Sequence, residues 1–333
     1  RGEAALLQAR SDPGLPTESL FDYLYNTANA LLIAKQTERA RDMLLEAVSM
    51  DFETAENPTR LIALHANLAT VFSNQGDLES ALNHDRQAIQ LVEQIYPPIH
   101  AERARKLNNL STTLSAMGRH EEAENASREA LAIYEQIYAD SPHPRVASAH
   151  NNLAMTLRRA GNLAGAEPHM EQAMQMAAIH FGEDDPRYTI AVGNLGDLKR
   201  RLQKLDEAEV LLNQNLALRR AIFGDQHISV AVGMGLLCSL RLDQARYEEA
   251  LGLCQDTLSM FEALEYQGAR GWIAITTRQA RALSGLGEQA LARTTFQQAF
   301  ELVEQAGDNA GTSRAELETA WETFIASNPQ ASE

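Results

Sequence analysis

Apolar residues recur every three to four positions along most of the chain, the period of a helix with one buried face. The runs come in pairs, separated by a short turn within each pair and a longer connection after it. Seven alanines stand in register through this pattern: Ala40, Ala81, Ala123, Ala166, Ala208, Ala250 and Ala292, spaced by 41, 42, 43, 42, 42 and 42 residues. A period that holds two helical runs predicts one helical hairpin repeated seven times, each hairpin stacked on the next.

With the column alanine set at repeat position 20, the units begin near Phe21, Ile62, Ala104, Ala147, Thr189, Ala231 and Ile273. Position 8 reads Ala28, Ala69, Ser111, Ala154, Gly196, Cys238, Ala280, and position 27 reads Ala47, Ala88, Ala130, Ala173, Asn215, Thr257, Ala299. Antiparallel helices that cross closely need small side chains where their backbones approach, and these columns supply them. Larger apolar residues such as Phe72, Leu114, Leu157, Leu44, Met170 and Phe296 fill the space between. Gly76, Gly118, Gly161 and Gly287 share position 15, where the first helix ends and the chain reverses. Asp77 and Asn162 follow and are suited to cap the second helix.

Small at 8, Gly at 15 and Ala at 20 and 27 resembles the tetratricopeptide repeat. The 42-residue period and a Phe-Gly-x-Asp-like connection resemble the longer variant of kinesin light chains, which also occurs in many bacterial signalling proteins. Asn151-Asn152-Leu153-Ala154 and Ala123-Glu124 match it closely, and the resemblance runs from about Phe21 to Gly307. It implies an all-α fold: a right-handed superhelical α-solenoid of seven hairpins over residues 21–312. Residues 313–333 are expected to form a capping helix and tail, with Leu317, Trp321, Phe324 and Ile325 on one side. Residues 1–20 read as the end of a preceding helix and a linker, and the start at Arg1 reads as a continuation of a longer polypeptide.

Position 6 on the first helix reads Asn26, Asn67, Asn109, Asn152, Asn194, then Leu236 and Arg278, with Asn108 and Asn151 beside the row. An amide offers both donors and an acceptor. The resemblance implies that such a row holds the backbone of an extended peptide in the groove lined by first helices. The alternative is that each Asn bonds a neighbouring helix. Arg105 at position 2, and Arg159 and Arg201 at position 13, are the basic candidates on the same face. The fork of an arginine suits an acidic or phosphorylated partner. The alternative for these is the helix dipole and pairing with Asp206, Glu207 and Glu209. Some chaperone-binding relatives clamp a terminal carboxylate. Asn29, Asn67 and Arg105 stand at three of the five places, but Tyr25 and Asn109 replace the other two, so that clamp is incomplete. Val232, Gly233 and Gly235 are expected to make the groove of the last repeats apolar and narrow.

The net charge of −16 argues against nonspecific binding to nucleic acid or an anionic membrane surface. No apolar run is long enough to span a bilayer, and the sequence does not open on a signal-peptide pattern. Cys238 and Cys254 fall on core positions of one repeat and read as buried free thiols, which fits a cytoplasmic compartment. No phosphate-binding glycine loop, His-Glu-x-x-His motif or nucleophile elbow occurs. His65 and His150 share position 4, and His84 and His169 share position 23; they read as half-buried packing residues rather than metal ligands. Neither an enzyme nor a cofactor is expected. The reading is a protein-interaction scaffold; the alternative is a regulatory or substrate-recruiting part of a larger signalling enzyme such as a bacterial Ser/Thr kinase. A purely structural rod would not need five aligned asparagines. The oligomeric state stays open.

Overall fold

The computed structural model describes residues 11–12, 14, 16–34, 36–50, 58–139 and 142–328. They hold fifteen α-helices and, among the described residues, no strand. The first helices of successive hairpins are α1 (Thr17–Ile33), α3 (Pro58–Gln75), α5 (Ala101–Ala116), α7 (Pro144–Arg159), α9 (Pro186–Arg201), α11 (Ile228–Asp243) and α13 (Ala269–Gly285). The second helices are α2 (Thr37–Ser49), α4 (Leu78–Ile95), α6 (His120–Ile137), α8 (Leu163–Phe181), α10 (Leu205–Phe223), α12 (Tyr247–Ala263) and α14 (Gln289–Ala306). A 3₁₀ turn (Gly307–Ala310) and α15 (Thr312–Ser327) follow. The part of the chain expected to end a preceding helix, Glu3 to Leu7, lies outside the described residues.

The chain divides into two compact units, 1–169 and 170–333. In the first, α1 packs on α2, α3 on α4 and α5 on α6, and the first helices α3, α5 and α7 touch one another in sequence. In the second, α9 packs on α10, α11 on α12 and α13 on α14, and α9, α11, α13 and α15 follow the same rule. First helices thus share one face in each unit. Consecutive helix pairs without strands make an all-α solenoid.

The small columns explain the crossings. All seven column alanines are fully buried, at 0% exposure. At position 8, a Cβ added to Gly196 would stand 2.6 Å from Leu212 Cδ2, so that crossing leaves no space for even a methyl group. The last core joins α15 to the seventh hairpin. Leu317 and Phe324 pack with Ile273 and Phe296, while Trp321 and Ile325 lie against that cluster.

Among the described residues, position 15 adopts a left-handed backbone whether or not it is glycine. Gly76, Gly118, Gly161 and Gly287 have φ between 75° and 82°. Gln203 and Ala245 occupy the same place in the fifth and sixth repeats, with φ of 60° and 56°. The stacking of both helices dictates this turn, and a Cβ there costs about 1–2 kcal/mol. Ala245→Gly is therefore expected to stabilise the protein by about 1 kcal/mol, read as a higher midpoint in thermal unfolding.

The connections between hairpins carry a device the sequence reading passed over. His100, His143 and His227 each accept through Nδ1 from the backbone N–H two residues on, capping α5, α7 and α11. Asp185 does the same for α9. Each cap imidazole stacks on an aromatic ring just before it: Tyr96 on His100, Tyr138 on His143 and Phe223 on His227. All four caps stand four residues before the numbered repeat starts, so the register itself contained the signal.

The expectation of two free thiols is overturned. Cys238 and Cys254 form a disulfide between α11 and α12, with their Cα atoms 6.1 Å apart. Positions 8 and 24 face each other across the closest part of the hairpin, within the reach of a disulfide. Cysteine usage therefore no longer argues for a reducing compartment. No described helix is long and apolar enough to cross a membrane.

Candidate functional site

The asparagine row does not act as one set. Asn67 is taken up inside the stack: its Nδ2 donates to Asn29 Oδ1 at 2.8 Å and lies 3.4 Å from Tyr25 OH. Here the internal hydrogen-bond alternative describes the residue. Asn26 is exposed. Asn109 and Asn152 differ from Asn67, because both are half-buried and neither side chain bonds a described residue.

These two free amides meet at a concavity of about 270 Å³ between α5 and α7. Its wall includes Arg105, Asn108, Asn109, Tyr134, Arg145 and Asn152. Four residues expected from sequence thus come together in the first unit. Asn108 is buried, and its Oδ1 has no hydrogen-bond partner. Asn151 is half-buried and is not part of this wall. Arg105 is exposed and its guanidinium holds Glu102 on its own helix. Arg145, on the first turn of α7, was not anticipated. It is exposed, and its side chain forms no ion pair within the described residues. Tyr134, buried in α6, closes the base and donates toward the Ala101 carbonyl at 3.4 Å. The site therefore offers two guanidinium groups beside two unengaged amides.

Arg159 is exposed, makes no ion pair within the described residues and is not part of this wall. In the second unit, Arg201 holds Asp197 at 2.9 Å. Arg200 pairs with Asp197 as well and with Asp243. Asn194 is half-buried on the same helix. Lys199 pairs with Glu171 and with Glu207, so the basic residues at the end of α9 are committed to carboxylates of their own unit: Glu207 is one that the surface-pairing alternative named, and Asp197 and Asp243 are partners it did not name. Gly233 and Gly235 are buried at helix contacts rather than open to a groove: a Cβ on Gly233 would stand 3.0 Å from Arg219 Cδ, and one on Gly235 2.8 Å from Ile275 Cδ1.

Beneath the first unit's face lie two histidine pairs. His65 Nδ1 is 2.9 Å from His84 Nδ1, and His150 Nδ1 is 3.0 Å from His169 Nδ1. Among the described residues, no group of three metal-ligating side chains occurs. Burial pushes His65 down to about 4, with His84 and Lys106 adding to the effect. Burial also depresses His84, His150 and His169. In the unfolded chain these groups take up protons near pH 6.5, before the folded chain does. Their stability contribution is therefore full above about pH 6.5 and is lost as the pH falls toward about 4. Asp85, pushed up to about 6 by burial, runs the other way and offsets part of the loss. The thermal midpoint is expected to fall across that window, and His65→Leu with His150→Leu to flatten the profile, as followed by circular dichroism.

A sequence model of the tetratricopeptide repeat matches residues 59–136, 145–214 and 186–263, more than half of the chain. No curated protein matches the sequence. Among solved structures, a kinesin light chain-type protein of Podosopora anserina with nearly identical TPR-like repeats is 20% identical at a TM-score of 0.57, covering 63% of this chain and 98% of its own. BtubC (BKLC) from P. vanneervenii is 20% identical at a TM-score of 0.57, covering 70% and 91%. A Rap protein complexed with competence and sporulation factor is 14% identical at a TM-score of 0.52, covering 93% and 99%. At these identities the likeness is one of fold, and it agrees with the register of small residues and turns. The chain belongs to the tetratricopeptide repeat family.

Proposed function

We propose that the protein is a non-catalytic interaction scaffold that holds an extended, acidic segment of a partner protein against the first-helix face of its first unit. The observation that carries this reading is the α5–α7 concavity, where Asn109 and Asn152 keep free amides beside Arg105 and Arg145. An unengaged amide row can pair with a peptide backbone without regard to its side chains, because each amide both donates and accepts. The arginines add selection for carboxylate or phosphate, since a guanidinium presents two parallel N–H donors to either. Arg145 is available at once, and Arg105 exchanges Glu102 for the incoming anion. A protein of the same fold, the Rap protein, is seen complexed with competence and sporulation factor, which supports the binding of another molecule as a use of this architecture.

The test is selection from a displayed library of random peptides. Wild type is expected to enrich peptides with acidic residues, and Asn109→Ala with Asn152→Ala to enrich none while keeping its helical circular dichroism. Equal enrichment by both proteins would remove the asparagines from binding. Loss of helicity in the double variant would make them structural.

A further inference from the structure

Position 24 of the repeat is a core position. Leu44, Ser127, Met170, Leu212, Cys254 and Phe296 occupy it in six repeats, and all are buried. The second repeat places Asp85 there, 2% exposed. Its Oδ2 accepts from the Thr113 hydroxyl of the next repeat at 2.6 Å. One repeat later, Ser127 and Thr156 make the corresponding link with two neutral hydroxyls 3.2 Å apart. A serine is therefore enough for the cross-repeat bond, and the charge at position 85 needs another cause.

That charge has no ion pair among the described residues. Lys106 interacts with it at longer range, but directs its ammonium to the Ile62 carbonyl at 3.3 Å. A buried carboxylate without a close cation is costly, and burial raises the Asp85 carboxyl to about 6.

Asp85 lines a second cavity, of about 200 Å³, between α3 and α5. Thr70, Ser73, Asn109 and Thr112 are among its other walls. The Thr70 hydroxyl donates to the Ala66 carbonyl and the Thr112 hydroxyl to the Asn108 carbonyl. With those protons committed, both oxygens are left as acceptors. A carboxylate and two hydroxyl acceptors suit a group with three donors and no acceptor, which is an ammonium.

We propose that this cavity receives the ammonium of a lysine side chain carried by the bound segment, with Asp85 as its counter-charge and the Thr70 and Thr112 oxygens as further acceptors. The inference rests on the groove reading and adds to its specificity. Asn109 lines both this cavity and the Arg105–Arg145 concavity. Side chains two residues apart on one side of an extended segment are separated by about 7 Å, which suits neighbouring pockets that share a wall residue. The preferred segment therefore pairs a lysine with an acidic residue at short, fixed spacing.

The test uses the displayed random-peptide library with wild type and Asp85→Asn, a change that keeps an acceptor for Thr113. Wild type is expected to enrich lysine at fixed spacing from an acidic residue. Asp85→Asn should keep the acidic preference and lose the lysine preference. A synthetic peptide of the enriched sequence should bind wild type about tenfold more weakly when its lysine becomes norleucine, the loss of one charge-assisted contact of about 1.4 kcal/mol. This second measurement needs no variant protein and stands even if Asp85→Asn fails to fold. Enrichment of acidic peptides without lysine, or equal affinity for the norleucine peptide, would overturn the inference and leave the groove reading intact. That outcome, together with a large loss of stability in Asp85→Asn, would make Asp85 the long-range counter-charge of Lys106. No enrichment of any peptide by wild type would overturn the groove reading and this inference with it.

Discussion

Ala123→Leu is expected to destabilise the first unit by about 1–3 kcal/mol or more, a large effect for one enlarged side chain. Ala123 is fully buried where α6 crosses α5, in a cluster with Leu82 and Leu114. Leu110 and Met117 close over the same cluster. A larger side chain there must push the two helices apart, and a tightly packed interior gives way only at a cost in rotamers and backbone shifts. Each hairpin also stacks on its neighbours, so the damage passes to the face that carries Asn109 and Asn152. The measurement is chemical denaturation followed by circular dichroism. An unchanged midpoint would mean that position 20 is not a crossing position and would undo the register of the repeats.

Arg145→Glu combined with Arg105→Glu is expected to weaken binding of an enriched acidic peptide by about 100-fold or more. Hydrogen bonds to charged groups contribute roughly 1.5–3 kcal/mol each, and each 1.4 kcal/mol is about a factor of ten. Reversal also adds repulsion between like charges. Both arginines are exposed, so the fold should be unaffected and the thermal midpoint should stay close to that of wild type. Added salt should weaken wild-type binding and strengthen the residual binding of the variant, since screening reduces an attraction in the first and a repulsion in the second. Isothermal titration at low and high salt gives both numbers. Equal affinities would assign peptide selection to the amides alone.

The helical architecture was legible because close helix crossings tolerate only small residues, and that constraint repeats with the hairpin. The turn at position 15 was legible only where it is glycine. Gln203 and Ala245 take the same left-handed backbone because stacking demands it, and their side chains do not announce it. The cysteine pairing depended on which two core positions face each other within a hairpin, and the spacing of 16 residues does not by itself state that. In the candidate site, repeat position told which face a residue shares but not whether its side chain is already engaged. Asn67 finds Asn29 one repeat earlier, whereas Asn109 and Asn152 find no such partner. Arg145 was missed for a simpler reason. Each first helix begins three or four residues before the numbered start of its repeat, and Arg145 lies in that added turn. Asp85 was hidden by its column, since a position that is apolar or neutral in every other repeat does not advertise a site.

The central claim is that a partner segment lies on the first-helix face of the first unit, and photo-crosslinking of an enriched peptide tests it most directly. A photoreactive residue would replace Ser148, which lines the α5–α7 concavity, or Ala132, exposed on the second helix α6. Crosslinking from position 148 alone, competed by unlabelled peptide and abolished by Asn109→Ala with Asn152→Ala, is the predicted result. Crosslinking from position 132 with none from position 148 would contradict the account and place the partner on the second helices.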